Sequence, residues 1–426
     1  MRTLKVALLG CGVVGSDVAR YLRAHEADLT ARVGARVELA GVAVRRADLP
    51  RPGIPAHLVT TDADALVARG DIDVAIEVIG GVDRPYDLIT KVFAHGASVV
   101  SANKALIAAE GAALHAAARD SGVDLFYEAA VAGAVPLLRP LRESLAGDRV
   151  TRVLGIVNGT TNFILDRMDT AGWEYPRALK EAMALGYAEA DPTADVEGHD
   201  AAAKAAILAG FAFNTRVRLD QVHREGITDI TAADMAAARS VGRVVKLLAV
   251  CDRAPDGDIT VRVHPAMLPA GHPLASVRDA FNAVFVEADA SGQLMFYGPG
   301  AGGAPTAASV LGDLVAACRN RLAGVTGSDD MAYERRRVRP IGDVVTRYHI
   351  TLDVTDQPGV VGAVVAVLER HGVSVEDFRQ APADGGARLF LSTRSAPDGA
   401  LSAAVAALRD LTQVRDIPRT IRAEAL

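Results

Sequence analysis

A short apolar run, Lys5–Leu9, leads straight into Gly10-Cys11-Gly12-Val13-Val14-Gly15, and a helical pattern with Val18, Ala19 and Leu22 apolar follows. Strand, G-x-G-x-x-G, helix is the order that a dinucleotide-binding fold requires. Gly10 permits the tight turn and Gly12 lets the backbone approach a pyrophosphate. Gly15 lets helix and strand pack closely, while the helix N-terminus faces the anion. With Val13 and Val14 these glycines form the first group of expected cofactor contacts. An N-terminal α/β domain with a parallel sheet is therefore expected.

Later strand ends extend that site. The run Val37–Val44 ends in Arg45-Arg46, where an NAD-selective site usually carries Asp or Glu. A guanidinium suits a 2′-phosphate, so Arg45 favours NADP; Asp48 keeps NAD open, and two solvent-facing loop arginines are the plainer alternative. Asp73–Ile79 ends in Gly80-Gly81, and Ala97–Val100 ends in Ser101-Ala102-Asn103-Lys104. Gly80 and Ser101 line the crevice where open α/β sheets bind ligands. Lys104 there touches cofactor, substrate or both, or is simply solvated. Leu125–Glu128 runs into a loop of small residues, Ala129–Pro136. One carboxylate, Glu128, with several main-chain carbonyls can hold a hard monovalent cation through oxygen.

At 426 residues the chain is long enough for two or three domains. Its net charge of −6 argues against nucleic-acid binding. The three cysteines, Cys11, Cys251 and Cys318, are far apart, which fits neither a metal site nor a disulfide framework and points to a reducing, cytoplasmic setting. No signal peptide and no membrane-spanning run is expected.

From about Thr151 the pattern changes. Val153–Val157 reads as a strand, followed by the polar turn Asn158-Gly159-Thr160-Thr161-Asn162, which contacts substrate or caps the next helix. Between Ala182 and Lys204 lie five carboxylates, a Gly-Tyr pair and an Asp-Pro. From Asp191-Pro192 onward the pattern is helical. Asp200, Lys204, Ile207, Leu208 and Phe211 share one face. That face is apolar beyond the lysine, so Asp200 and Lys204 are expected to point inward, where a lysine held by a carboxylate presents a proton to a reacting group. An ordinary surface ion pair is the alternative. Ala283–Val286 and Leu294–Tyr297 suggest a hairpin of an open sheet. The bend Gly298–Gly303, with Gly302 as a further cofactor contact, precedes a helix from about residue 305 to 321 that is expected to return to the first domain.

The segment Ala182–Lys204 resembles the signature of homoserine dehydrogenases, with Gly-Tyr, Asp-Pro, Asp-Val, Gly, Asp and Lys at fixed intervals. The glycine loop, the Ser101–Lys104 strand end, the Glu128–Pro136 loop, the Asn158–Asn162 turn and the Gly298–Gly303 bend extend the resemblance over about the first 320 residues. It implies NAD(P)H-dependent interconversion of aspartate 4-semialdehyde and homoserine, the branch step toward threonine and methionine. It implies Lys204 as proton donor, Asp200 as its helper, and Lys104 at the cofactor–substrate junction. Substrate contacts would be Glu189 and Asp195, with Asn158, Gly159, Thr160 and Tyr187 beside them. It implies a sodium site at Glu128, Val131, Gly133 and Val135; a homodimer or higher homo-oligomer is expected, though the sequence does not fix it. The chemistry suits these residues on its own terms: a lysine ammonium stabilises a developing alkoxide and protonates it, and carboxylates suit an α-ammonium group. Two other classes stay open. One is a semialdehyde oxidoreductase forming an acyl phosphate, which needs a nucleophilic cysteine that this segment lacks. The other is an NADPH and amino-acid sensor without catalysis.

Residues 323–345 read as a charged linker, with Arg335–Arg339 solvated. Beyond it the order is β-α-β-β-α-β, ferredoxin-like, with a turn at Asp356–Gly359 before an apolar helix. This part resembles an ACT domain, a module that typically binds amino acids and pairs with its own copies; Asp356 and Gly359 are the expected regulatory contacts and threonine the expected effector. The fold class expected is α/β: a Rossmann domain (1–135), an α+β catalytic and dimerisation domain with an open sheet (136–322), and a ferredoxin-like ACT domain (346–426).

Overall fold

The computed structural model describes residues 2–327, 334–383 and 385–424. It divides into two compact units. One comprises residues 1–153, 203–220 and 281–336, the other residues 154–202, 221–280 and 337–426.

The first unit is built on a parallel sheet. Its strands run in the spatial order Val59–Thr60, Arg36–Ala43, Thr3–Leu9, Val74–Glu77, Ser98–Ser101, Leu125–Phe126. This is the doubly wound 3-2-1-4-5-6 order, whose chain reversal lies beside the first strand. Leu4, Val6, Leu8, Val74 and Ile76 are fully buried, as strands covered on both faces must be. The helix Val13–Ala24 covers one face with Val18, Ala19 and Leu22. The helix Gly303–Ala323 packs into the same core through Ala307, Val310, Leu314 and Ala317. Also in this unit, Phe281–Ala288 and Gly292–Pro299 form an antiparallel hairpin.

The second unit holds a mixed sheet. Arg243–Arg253 pairs antiparallel with Ile259–Pro269 along their whole length. The sequence reading passed over these strands. Each is buried on both faces and so shows no alternation. The C-terminal strands follow in the order Val414–Ala423, Val345–Val354, Gly386–Thr393, Val375–Ala383, all antiparallel to their neighbours. Helices Val360–Arg370 and Asp398–Arg409 cover one face, with Val364, Leu368, Leu401 and Leu408 against Ile350, Leu352 and Leu389. Two parallel pairs, Ala266↔Arg422 and Met267↔Ala423, join this ferredoxin-like sheet to the strand Ile259–Pro269.

Two sequence expectations need correction. The arginine run is docked in part: Arg335 and Arg337 are exposed as expected, whereas Arg336 and Arg339 are half-buried. Within the first unit Arg336 donates to the Phe213 carbonyl at 3.0 Å. Within the second, Val338 bridges Ile259, whose N–H reaches the Arg337 carbonyl, and Arg339 pairs with Asp256 and Asp258. Arg336 and Arg339 find a carbonyl and carboxylates distant along the chain, which charge counting cannot show. Residues 328–333 of the expected linker lie outside the described residues. The helix expected from Asp191 onward is two helices, Thr193–Val196 and His199–Phe213. Between them Gly198 adopts φ +78°, which ends the first helix.

Candidate active site

In the first unit the strand ends and loops converge around the glycine turn. The Gly10 N–H donates to the Ala43 carbonyl at 3.0 Å, so the second strand ends beside the loop and Arg45 follows two residues later, exposed. A Cβ on Gly15 would lie 2.2 Å from the Gly10 carbonyl oxygen, so only glycine fits. Gly12 caps the helix Val13–Ala24 without any side-chain hydrogen bond, leaving the positive helix end open to an anion. Gly302 precedes the helix Gly303–Ala323, whose first residue sits against Val13 and Asp17.

Glu77 went unnoticed in the sequence, although a single carboxylate inside Val74–Ile79 was its signal. It is fully buried at a strand end. Its carboxylate accepts the Ile79 N–H at 2.7 Å, the Gly80 N–H at 3.3 Å and the Ser101 hydroxyl at 2.6 Å. Asn103 caps the next helix through the Leu106 N–H and donates to the Gly81 carbonyl. Lys104 is the first residue of that helix, Lys104–Asp120, so the two strand ends and Lys104 are held as one piece.

The loop after Glu128 departs from expectation. The Glu128 carboxylate accepts the backbone N–H groups of Leu137, Leu138 and Arg139, the last two at 2.8 and 2.7 Å. It therefore fastens the following turn, and the oxygens left to a cation are main-chain carbonyls. Ala132 and Gly133 both take left-handed backbone, φ +57° and +56°, which curls the loop. Asp313, on the helix Gly303–Ala323, accepts the Glu128 N–H at 2.7 Å, and Ser309 donates to the Gly133 carbonyl at 2.8 Å. Burial pushes the Asp313 carboxyl up to about 7 against the opposing pull of Arg139.

In the second unit the polar turn becomes the hub of the residues expected to bind substrate. Asn158 Oδ1 accepts the Thr161 N–H at 2.9 Å and caps the helix Gly159–Ala171. Its amide group donates to Asp195 at 2.7 Å and to Asp200 at 2.9 Å. The Thr160 hydroxyl donates to the Tyr187 carbonyl at 2.6 Å, and the Tyr187 ring leans on Phe163 at 5.0 Å. Asn158, Thr160, Tyr187, Asp195 and Asp200 are thus brought together around Gly159, while Glu189 is exposed on the same loop as Tyr187. Asp200 and Lys204 sit one turn apart on the helix His199–Phe213, 6% and 8% exposed. An exposed ion pair is ruled out for them.

In the C-terminal domain a cavity of about 240 Å³ is lined by Thr355, Gln357, Gly359 and Val360 among others. Gly359, at φ +86°, starts the helix Val360–Arg370 without a side-chain cap. Asp356 is not among the residues lining that cavity.

A doubly wound dinucleotide domain, followed in the same chain by a buried carboxylate–lysine helix, defines an oxidoreductase that acts on a CH–OH group with a nicotinamide cofactor. Comparison with known proteins agrees. The family models for homoserine dehydrogenase and for its NAD-binding domain match residues 136–315 and 10–128, and an ACT domain model matches residues 348–413. The homoserine dehydrogenase of Mycobacterium leprae is 52% identical, covering 100% of this chain and 98% of its own. The crystal structure of a homoserine dehydrogenase from Thiobacillus denitrificans superimposes with a TM-score of 0.94 at 35% identity, covering 99% of this chain and 98% of that one. A hyperthermophilic archaeal homoserine dehydrogenase in complex with NADPH gives a TM-score of 0.62 at 25% identity, covering 74% of this chain and 98% of that one. The chain belongs to the homoserine dehydrogenase family, with a C-terminal ACT domain.

Proposed function

We propose that the chain reduces L-aspartate 4-semialdehyde to L-homoserine with NADPH, in the supply of threonine and methionine, and that Lys204 delivers the proton. The observation carrying this reading is the Asn158 amide, which bridges Asp195 and Asp200 one helical turn before the buried Lys204. NADPH, when bound, supplies the hydride to the aldehyde carbon. The Lys204 ammonium stabilises the alkoxide as it forms and protonates it. Asp200, fixed by Asn158, orients that lysine. Lys104 borders the reacting group. Asp195 and Glu189 hold the substrate α-ammonium, and Gly159, Thr160 and Tyr187 shape the turn around it.

The dinucleotide lies along Gly10, Gly12, Val13, Val14 and Gly15, with Gly80, Ser101, Lys104 and Gly302 beside it. Arg45 favours the 2′-phosphate of NADP, and the archaeal complex with NADPH supports this choice. A sodium ion fits the curl of Glu128, Val131, Gly133 and Val135 through carbonyl oxygens, which can replace a cation's hydration shell. A homodimer is supported by the hairpin strand Gly292–Pro299, which exposes Met295 and Tyr297. Cys11, Cys251 and Cys318 form no disulfide framework among the described residues, which suits the cytoplasm. Threonine is the effector assigned to the ACT domain.

The decisive assay is homoserine-dependent reduction of NADP⁺ by the wild type and by Lys204→Ala. The variant is expected to lose roughly 10²–10⁴-fold in kcat; wild-type-like turnover would remove Lys204 as the acid. The same assay with NAD⁺ tests Arg45, since Arg45→Ala should lose preference for NADP⁺, and an unchanged preference overturns that role.

A further inference from the structure

Lys246 lies in the middle of the strand Arg243–Arg253 and is 1% exposed, yet the reaction above makes no use of it. Burial holds its amine down at about 8, with Asp166 opposing that shift. An apolar residue of similar size would fill the space without that desolvation cost. What the lysine supplies is geometry. Its Nζ donates to Asn162 Oδ1 at 2.9 Å and to the Val277 carbonyl at 2.6 Å.

Both partners belong to a clasp that ends at the substrate turn. Asn162, in the first turns of the helix Gly159–Ala171, passes its own amide N–H to the Asp279 carbonyl at 2.9 Å. Asp279 has left-handed backbone, φ +52°, which costs free energy in a non-glycine residue and persists only when its surroundings enforce it. Here they do: its N–H meets Asp166 at 3.1 Å, its carboxylate meets Arg167 at 2.6 Å, and neighbouring Arg278 pairs with Asp166 and Asp169. The next residue, Ala280, places its carbonyl oxygen where a Cβ on Gly159 would lie only 2.6 Å away. The turn 277–280 therefore presses directly on the first turn of the helix capped by Asn158.

We infer that Lys246 is a positioning residue for the substrate turn: by locking Asn162 to the turn 277–280 it fixes how Asn158 and Thr160 are presented beside Asp195 and Asp200. The inference rests on the reading of that turn as substrate-binding.

The test is Lys246→Met, assayed for homoserine oxidation alongside NADPH binding by fluorescence. Misplacement of a binding turn should raise KM for homoserine roughly ten- to hundredfold, with a smaller change in kcat. The dissociation constant for NADPH should not move. A lower melting temperature with unchanged KM would overturn the role and leave a merely structural lysine. Should that variant not fold, Asn162→Asp takes its place. It keeps an acceptor for Lys246 but removes the amide donated to Asp279, and an unchanged KM overturns the inference in the same way. If the wild type oxidises no homoserine, the substrate assignment itself has failed. Amide exchange at residues 158–162 then decides: faster exchange in Lys246→Met than in the wild type supports the clasp, and equal exchange overturns it.

Discussion

The helix Val13–Ala24 and the helix Gly159–Ala171 both follow a strand buried at its end, yet they begin in opposite ways. The first has Gly12 at its cap and no side chain closing it; the second is closed by Asn158. A helix start carries unsatisfied N–H groups and about half a positive charge. Leaving them open reserves the site for an external anion, here the pyrophosphate. Closing them with an asparagine removes one orphan donor and leaves the amide group free to face outward, where it organises two carboxylates. One residue at the cap position thus separates an open helix end from a scaffold for two carboxylates. The helix Val360–Arg370 in the C-terminal domain is of the open kind, with Gly359 beside a cavity.

Converting an open start into a closed one should have the largest effect. Gly12 has open space where a Cβ would stand, and its φ of −83° suits any residue. Gly12→Asp is expected to cap the helix, leaving stability unchanged or higher by roughly a few tenths of a kcal/mol. The new carboxylate would meet the pyrophosphate, and NADPH should bind roughly a hundredfold more weakly or worse, since like charges in contact cost several kcal/mol. Thermal melts and fluorescence titration read the two effects, and NADPH binding at wild-type strength would break the distinction. Opening the closed start comes next. Asn158→Ala should cost about 1 kcal/mol as a lost cap. It also removes the amide between Asp195 and Asp200, so kcat for homoserine should fall. A lower melting temperature with unchanged kcat would reduce Asn158 to a cap. The smallest change in basal turnover is expected for Gly359→Ala, which forces left-handed backbone on a residue with a side chain. Inhibition by threonine should weaken while turnover without threonine stays the same. If threonine has no effect on the wild-type chain, the effector assignment fails.

The same two helix starts show how much the sequence discloses. The glycine loop is legible because each glycine answers a local need, and the strand and helix on either side are local too. The signature segment is legible as residues with chemistry at helical spacing, and Asp200 and Lys204 are buried as that spacing suggested. What the sequence withholds are partners distant along the chain. Nothing near Asn158 announces that its amide meets residues 195 and 200. Nothing near Glu128 announces that its carboxylate holds the backbone of residues 137–139. Lys246 looks like a break in an apolar run, because the acceptors that justify it come from Asn162 and Val277. Gly198 reads as one more small residue until its backbone angle splits the helix.

The two parallel pairs that tie Ala266 and Met267 to Arg422 and Ala423 have a consequence for how the chain is made. Synthesis is vectorial, so the edge of the strand Ile259–Pro269 at Ala266 and Met267 waits, unpaired, until the ACT domain has emerged. An uncovered strand edge is a template for pairing with other chains, and contacts between residues so far apart in sequence form slowly. Until then buried Arg262 also lacks Glu424, which lies 3.2 Å from it in the finished fold. The ACT domain is thus the piece that completes the neighbouring sheet. Nonsense mutations late in the gene should for that reason yield aggregated protein more often than an unregulated enzyme.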